Sequence, residues 1–374
     1  MASINLIFFL FFLVLTTSAS PNPILPKSGF ISAVKDPSSL QYVAKLSLGD
    51  GTAVNLVVDL NSPHVLIHGG GGVPVGSSSL ECAMAESVRT NPNSKACSVR
   101  TRNPISNIPM SGELHEGKVA FEMWDGVSLT NNNSNNGLAK IDPFLFVKSQ
   151  MTSNGAKGVL GLGQSRISLM SQIFVAFGFL KMRFSLCLSS ISQGGIFLGG
   201  SPNFVSKFSS KIKHTPFDYS EDFGGYYVRV NSIKIFDKKM DLQLGDDEPF
   251  IAARFSTIAP YTVGPFGTCF VKGGEDGFPA VDLVLQSEMV VWRMDGRDLL
   301  VPVGDDVVCL GVVNGGFSRR GFITVGGFQL EDRVLEFDLG NSILGFSDSI
   351  GGKTCNDFGF GFDLSEKFSE SFVV

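Results

Sequence analysis

Charged side chains make up only 17% of this 374-residue sequence, and 30 Lys and Arg against 35 Asp and Glu leave a net charge of −5. No cationic surface dominates that could hold a phosphate backbone by counterion release, which argues against a nucleic-acid partner. Histidine is scarce, at four residues. His64 and His68 stand beside a run of glycines, Gly69 to Gly72, but the stretch reads as loop and supplies no third ligand. They read as surface residues rather than a metal pair. The six cysteines include no C-x-x-C spacing, which makes a zinc site improbable. Gly161-Leu162-Gly163-Gln164-Ser165-Arg166 lacks the last glycine of a dinucleotide fingerprint and sits in no parallel βαβ context. No cofactor and no metal are expected.

Apolar residues make up 43% of the chain, enough for one large or two ordinary cores. The chain is rich in Gly (43) and Phe (33) and poor in Tyr (5) and Trp (2), a balance that favours many short strands joined by turns. Residues 6–15 form an apolar run followed by Thr16-Thr17-Ser18-Ala19-Ser20 and Pro21, the layout of a secretory signal over residues 1–20. The run is shorter than the roughly 20 residues a bilayer requires and lacks flanking charge. No later stretch reaches spanning length without charge or glycine. The mature protein is therefore expected to be secreted, extracellular or in the cell wall, free of the membrane, and permitted disulfides. All six cysteines lie in that mature part and read as structural bridges, which parity alone can pair in 15 ways. Asn132 opens an Asn132-Asn133-Ser134 sequon in a polar run that reads as an exposed loop, a candidate glycosylation site.

Apolar alternation predicts a hairpin from residues 41–48 and 53–60 around Gly49-Asp50-Gly51, which places Asp59 at the end of a buried strand. Residues 69–107 read as irregular surface structure, and 118–129 as a strand. A strand and glycine turn at 158–163 leads into a helix over 167–179, and strands are predicted at 184–188, 196–198, 226–235, 280–285, 289–292, 307–313 and 322–325. The halves echo each other: one apolar strand reaches Asp59 and another, from Phe250, reaches Ser256. Each is followed later by an apolar stretch and glycine, Val159-Leu160-Gly161 and Thr324-Val325-Gly326-Gly327. Two β lobes, at 21–210 and 211–374, with a cleft between them, are the economical interpretation.

These residues resemble the pepsin-like aspartic peptidase family, in which each lobe supplies one Asp-Thr/Ser-Gly loop over an apolar-apolar-Gly strand. The resemblance extends to the plant branch with extracellular dermal glycoproteins, basic 7S globulins and inhibitors of fungal xylanases and xyloglucanases. It is carried by Asn55-Leu56-Val57-Val58-Asp59-Leu60, Ser256-Thr257-Ile258-Ala259-Pro260-Tyr261, Val307-Val308-Cys309-Leu310-Gly311 and Gly326-Gly327-Phe328-Gln329-Leu330. It implies an all-β, bilobal pepsin-like fold. The C-terminal lobe would be shortened, because Val263 runs almost directly into Gly264-Pro265-Phe266. It also implies the pairs Cys82 with Cys97, Cys187 with Cys355, and Cys269 with Cys309.

Aspartic proteolysis requires two carboxylates about 3 Å apart sharing one proton. Asp59 holds the first position, but Leu60 replaces the hydroxyl that normally bonds across the lobes, and Asn61 replaces the loop glycine. Asn tolerates left-handed geometry, so that loop can still close. Ser256 holds the second position and supplies no acid; an unaligned acid such as Asp282 would need unusual geometry. No catalytic residue is expected, and Asp59 should titrate as an ordinary or merely buried carboxyl. The resemblance points instead to a monomeric binder of secreted microbial glycoside hydrolases. Relatives insert a basic side chain between the target's catalytic acids, and Arg319 and Arg320, on a glycine-rich loop, are the candidates. The alternatives are a residual aspartic endopeptidase and a storage or cell-wall globulin.

Overall fold

The computed structural model describes residues 28–69, 71–86, 95–106, 108–124, 138–150, 155–178, 180–191, 193–200, 212–220, 225–240, 251–261, 268–273, 278–312, 322–349 and 355. The predicted hairpin forms from Tyr42–Leu48 and Ala53–Asp59, paired from Val43 opposite Val57 to Ser47 opposite Ala53. Its turn closes on Gly51, whose φ of 84° suits a residue without a Cβ. Tyr42, Ala44 and Leu46 are buried while Lys45 between them is exposed, the period-two signature of a half-buried strand.

This hairpin belongs to a 14-stranded sheet that draws on both halves of the chain. Ser28–Lys35 pairs with Gln193–Leu198, which pairs with Arg183–Cys187, and that strand meets Val334–Asp338 and then Ile343–Phe346 from the far end. Arg183 lies opposite Asp338 in the register and bonds to it at 2.6 Å and to Glu336 at 3.1 Å, a charged clamp on the seam between the halves. Lys213–Pro216 pairs with Ile343–Phe346 at the edge of the same sheet, and the other second-half strands form smaller sheets. One contains Gly225–Val230, Ile251–Phe255 and Phe322–Val325, and another Ser232–Ile235, Val281–Val284 and Val291–Met294.

One large core runs through both halves. Phe184, Phe217, Tyr226, Phe255 and Phe337 are all buried in it, with Phe184 and Phe337 stacked at 4.9 Å. A smaller cluster lies under the Cys82–Cys97 disulfide, with Leu66, Val99, Leu114, Val147 and Val159. The segment read as irregular surface thus contains the helix Leu80–Met84 and the strand Ser98–Arg102, because its cystine is buried and Ser98–Arg102 pairs with Pro109–Trp124. Further disulfides join Cys187 to Cys355 and Cys269 to Cys309.

Two other departures have local causes. The strand predicted over 226–235 is split at Asn231, where the chain leaves the partner Ile251–Phe255 for the partner Val281–Val284. The helix predicted over 167–179 is Leu169–Ala176, started by Ser168, whose hydroxyl accepts from the N–H of Ser171 at 3.2 Å.

Candidate functional site

The two halves meet around Asp59 and Ser256, and each half builds the same support. Ala53–Asp59 runs parallel to Gly158–Gly161, with Asp59 opposite Gly161. Ile251–Phe255 runs parallel to Phe322–Val325, and the N–H of Ser256 continues that ladder to the carbonyl of Val325 at 2.9 Å. In each half the loop after the strand crosses directly over a glycine. A Cβ on Gly161 would stand 2.2 Å from the His64 carbonyl oxygen, and one on Gly326 would stand 2.9 Å from that of Ala259. No side chain fits at either crossing.

Both loops are closed by a side-chain oxygen. Asp59 accepts from the N–H of Asn61 at 2.9 Å and is further held by the N–H of Ser62. Ser256 accepts from Ile258 at 3.3 Å and Ala259 at 3.1 Å. Ser256 therefore performs the turn-closing part of an acid's role with a hydroxyl.

Between the halves, the Thr257 hydroxyl donates to the Val58 carbonyl at 2.7 Å and accepts from the N–H of Leu60 at 3.2 Å. Leu60 is buried and has no hydroxyl to return the bond. Asn61 makes the reciprocal crossing: its amide nitrogen donates to the Phe255 carbonyl at 2.9 Å, and its amide oxygen accepts from the N–H of Tyr226 at 3.2 Å. Asn61 does not adopt a positive φ. Its value in the loop is this side-chain bridge, and not the left-handed tolerance expected from sequence.

Electrostatically the site is unlike a pair of acids. Asp59 is 4% exposed, and burial pushes its carboxyl up from 3.8 to about 6, opposed by the Asn61 and Ser62 N–H groups and by the positive charge of Arg254. Arg254 donates to the Thr324 hydroxyl at 3.1 Å. Its strand was read from sequence, but its role was not. The signal was present, a lone charge in an apolar strand two residues before Ser256. Asp282 is engaged elsewhere, in another sheet, bonded at 3.0 Å to Arg293 on the neighbouring strand.

The histidines depart from the surface reading. His64 is buried because its loop is pressed over Gly161, and burial alone lowers its pKa from 6.5 to about 4. His68 is half-buried, with Nδ1 at 3.1 Å from the Ser149 carbonyl. Among the described residues no group of three or more His, Cys, Asp or Glu side chains could hold a metal. Arg319, Arg320, Asn132 and the segment 1–20 lie outside the described residues.

Comparison with known proteins agrees with this geometry. Residues 42–200 match the family described as xylanase inhibitor N-terminal, and residues 250–348 the one described as xylanase inhibitor C-terminal. A probable aspartic proteinase of Nicotiana benthamiana is 29% identical, aligned over 94% of this chain and 96% of its own. The basic 7S globulin of Glycine max is 31% identical over 72% of each chain. Lupine conglutin gamma superposes with a TM-score of 0.77 at 27% identity, covering 89% of this chain and 98% of that one. The aspartic proteinase of Irpex lacteus, at 14% identity and a TM-score of 0.60 over 86% of this chain and 98% of its own, shares the bilobal pepsin-like fold. The chain belongs to the xylanase-inhibitor-type family of aspartic-proteinase-like proteins.

Proposed function

We propose that this chain acts by binding and not by cutting peptide bonds, and that its target is a secreted microbial glycoside hydrolase of the xylanase or xyloglucanase type. The observation that carries the first half is Ser256: a hydroxyl committed to two backbone N–H groups stands where a second carboxyl is required. Without that acid, Asp59 cannot both activate water and protonate the substrate carbonyl. The matched xylanase-inhibitor families support the second half. The binding element is the loop between Val307–Leu310 and Phe322–Val325, which carries Arg319 and Arg320. A guanidinium fork can bond both carboxylates of a glycosidase, and glycines on either side give the loop reach. The same proposal places the mature protein outside the cell as a monomer of two lobes meeting near residue 210, with the segment 1–20 removed and Asn132 open to glycosylation.

The test is inhibition of purified fungal xylanase and xyloglucanase by the intact protein and by Arg319→Ala plus Arg320→Ala. Loss of inhibition in the variant supports the loop; equal inhibition by both proteins refutes it. An aspartic endopeptidase is the alternative named by the Nicotiana relative. It requires cleavage of a general peptide substrate at acid pH that a statine-type inhibitor blocks. A storage or cell-wall globulin is the other alternative, in line with a relative named a globulin, and it requires high abundance and no tight partner.

A further inference from the structure

The junction of the two halves contains a cation that acid-dyad chemistry does not need. Arg254 lies on the same face of its strand as Ser256, because side chains two apart in an extended chain share a face. Its register neighbours are Tyr227 on one side and Thr324 on the other. Arg254 is half-buried, whereas Asp59 and Ser256 are buried. Of its five N–H donors, one is taken by Thr324, and Nε is buried with no partner among the described residues. The charge of Arg254 acts on Asp59, but the two do not meet as an ion pair.

We infer that Arg254 and Asp59 together form a binding site for a carboxylate, either a free acid or an acidic side chain of an extended peptide. The ligand's oxygens accept from the guanidinium, and the protonated Asp59 carboxyl donates to one of them. Such charge-assisted bonds in a partly buried site discriminate strongly between an acid and its amide.

Its charge is set by Asp59. While that carboxyl holds its proton, up to about pH 6, the Arg254 charge is uncompensated and draws an anion. Once it ionises, it opposes the same anion. The surrounding elements contribute little to this change. His64, in the Asp59 loop, is kept neutral by burial, and Tyr227 and Tyr261 are shifted upward and stay neutral. The Tyr219 hydroxyl is bonded to the Asn61 carbonyl, and Arg229 is paired with Asp218.

Calorimetric titration with acetyl-Ala-Ala-Glu-amide, its Gln counterpart and glutarate tests the site. At about pH 5 the Glu peptide or glutarate should bind at least about tenfold more tightly than the Gln peptide, with the difference closing by about pH 8. Arg254→Gln should abolish the preference, and Asp59→Asn should preserve it at both pH values. Binding of glutarate alone assigns the site to free acids, and binding of the Glu peptide alone assigns it to peptides. Equal affinity for acid and amide at about pH 5, or a preference that survives Arg254→Gln, overturns the inference. If Arg254→Gln does not fold, Asp59→Asn decides: a preference that still closes by about pH 8 in that variant overturns the inference equally.

Discussion

The Thr257 hydroxyl accepts a hydrogen bond from the Leu60 backbone across the junction of the two halves at 3.2 Å, and Leu60 returns none. A symmetric crossing would use a hydroxyl from each side. Here one side is a threonine and the other is the amide of Asn61, one residue further along, which reaches Phe255 and Tyr226. Gly225 leaves room for it, since a Cβ there would lie 1.8 Å from the Asn61 amide oxygen.

Replacement of Thr257 by valine keeps the volume but leaves the buried Leu60 N–H and Val58 carbonyl without partners, at a cost of about 3 kcal/mol. Asn61→Ala should cost about 2 kcal/mol by removing two bonds at a partly buried site. Because the two bridges brace the same junction, the double variant should depart from additivity. Urea titration of the three variants measures all of this, and a Thr257→Val protein as stable as the parent would show that the crossing is ornamental.

Asp59 and His64 should tilt stability with pH in opposite directions. The folded state holds the Asp59 proton up to about 6 against an ordinary 3.8, so its contribution falls as pH rises through that window and is lowest above it. His64 resists protonation down to about 4 against an ordinary 6.5, so its contribution is lost as pH falls from 6.5 to 4. Asp59→Asn should therefore gain up to about 3 kcal/mol at neutral pH and nothing at about pH 3. His64→Gln should gain most at acid pH and nothing at neutral pH. Thermal unfolding midpoints against pH, read as variant minus parent, check both signs.

Glu331 ties the first strand of the described chain to the second half. Its carboxyl accepts from Lys35 at 2.5 Å and from the Tyr42 hydroxyl at 2.6 Å, and it is 6% exposed. Glu331→Ala strands a partly buried ammonium and a buried hydroxyl and should cost about 3 kcal/mol. Glu331→Gln keeps an acceptor and should cost about half as much. Denaturant midpoints distinguish the two, and equal losses would mean that the charge contributes nothing.

Much of the fold was legible from patterning. The hairpin before Asp59, the glycine turn at 158–163 and the strands ending at Ser256 and Val325 are short, apolar and punctuated by glycine. Local signals therefore agreed with their tertiary partners. The strands Ser28–Lys35, Leu138–Lys148 and Val334–Asp338 were missed, because their identity as strands comes from long-range pairing and not from a local period. At the site, the absence of an acid at Ser256 was plain from the residue itself, whereas the bridge made by Asn61 was not. An amide side chain signals nothing until its partners on another strand are known.

Composition and motif by themselves determined the all-β class, the family and the missing second carboxyl, since these depend on residue identity and spacing along the chain. Only the tertiary structure decided that His64 is buried, that Asn61 replaces a hydroxyl bridge and that a cation acts on Asp59. Burial and charge proximity are set by segments far apart in the sequence, as where the His64 loop presses over Gly161 and where Val58 meets Thr257 across a separation of 199.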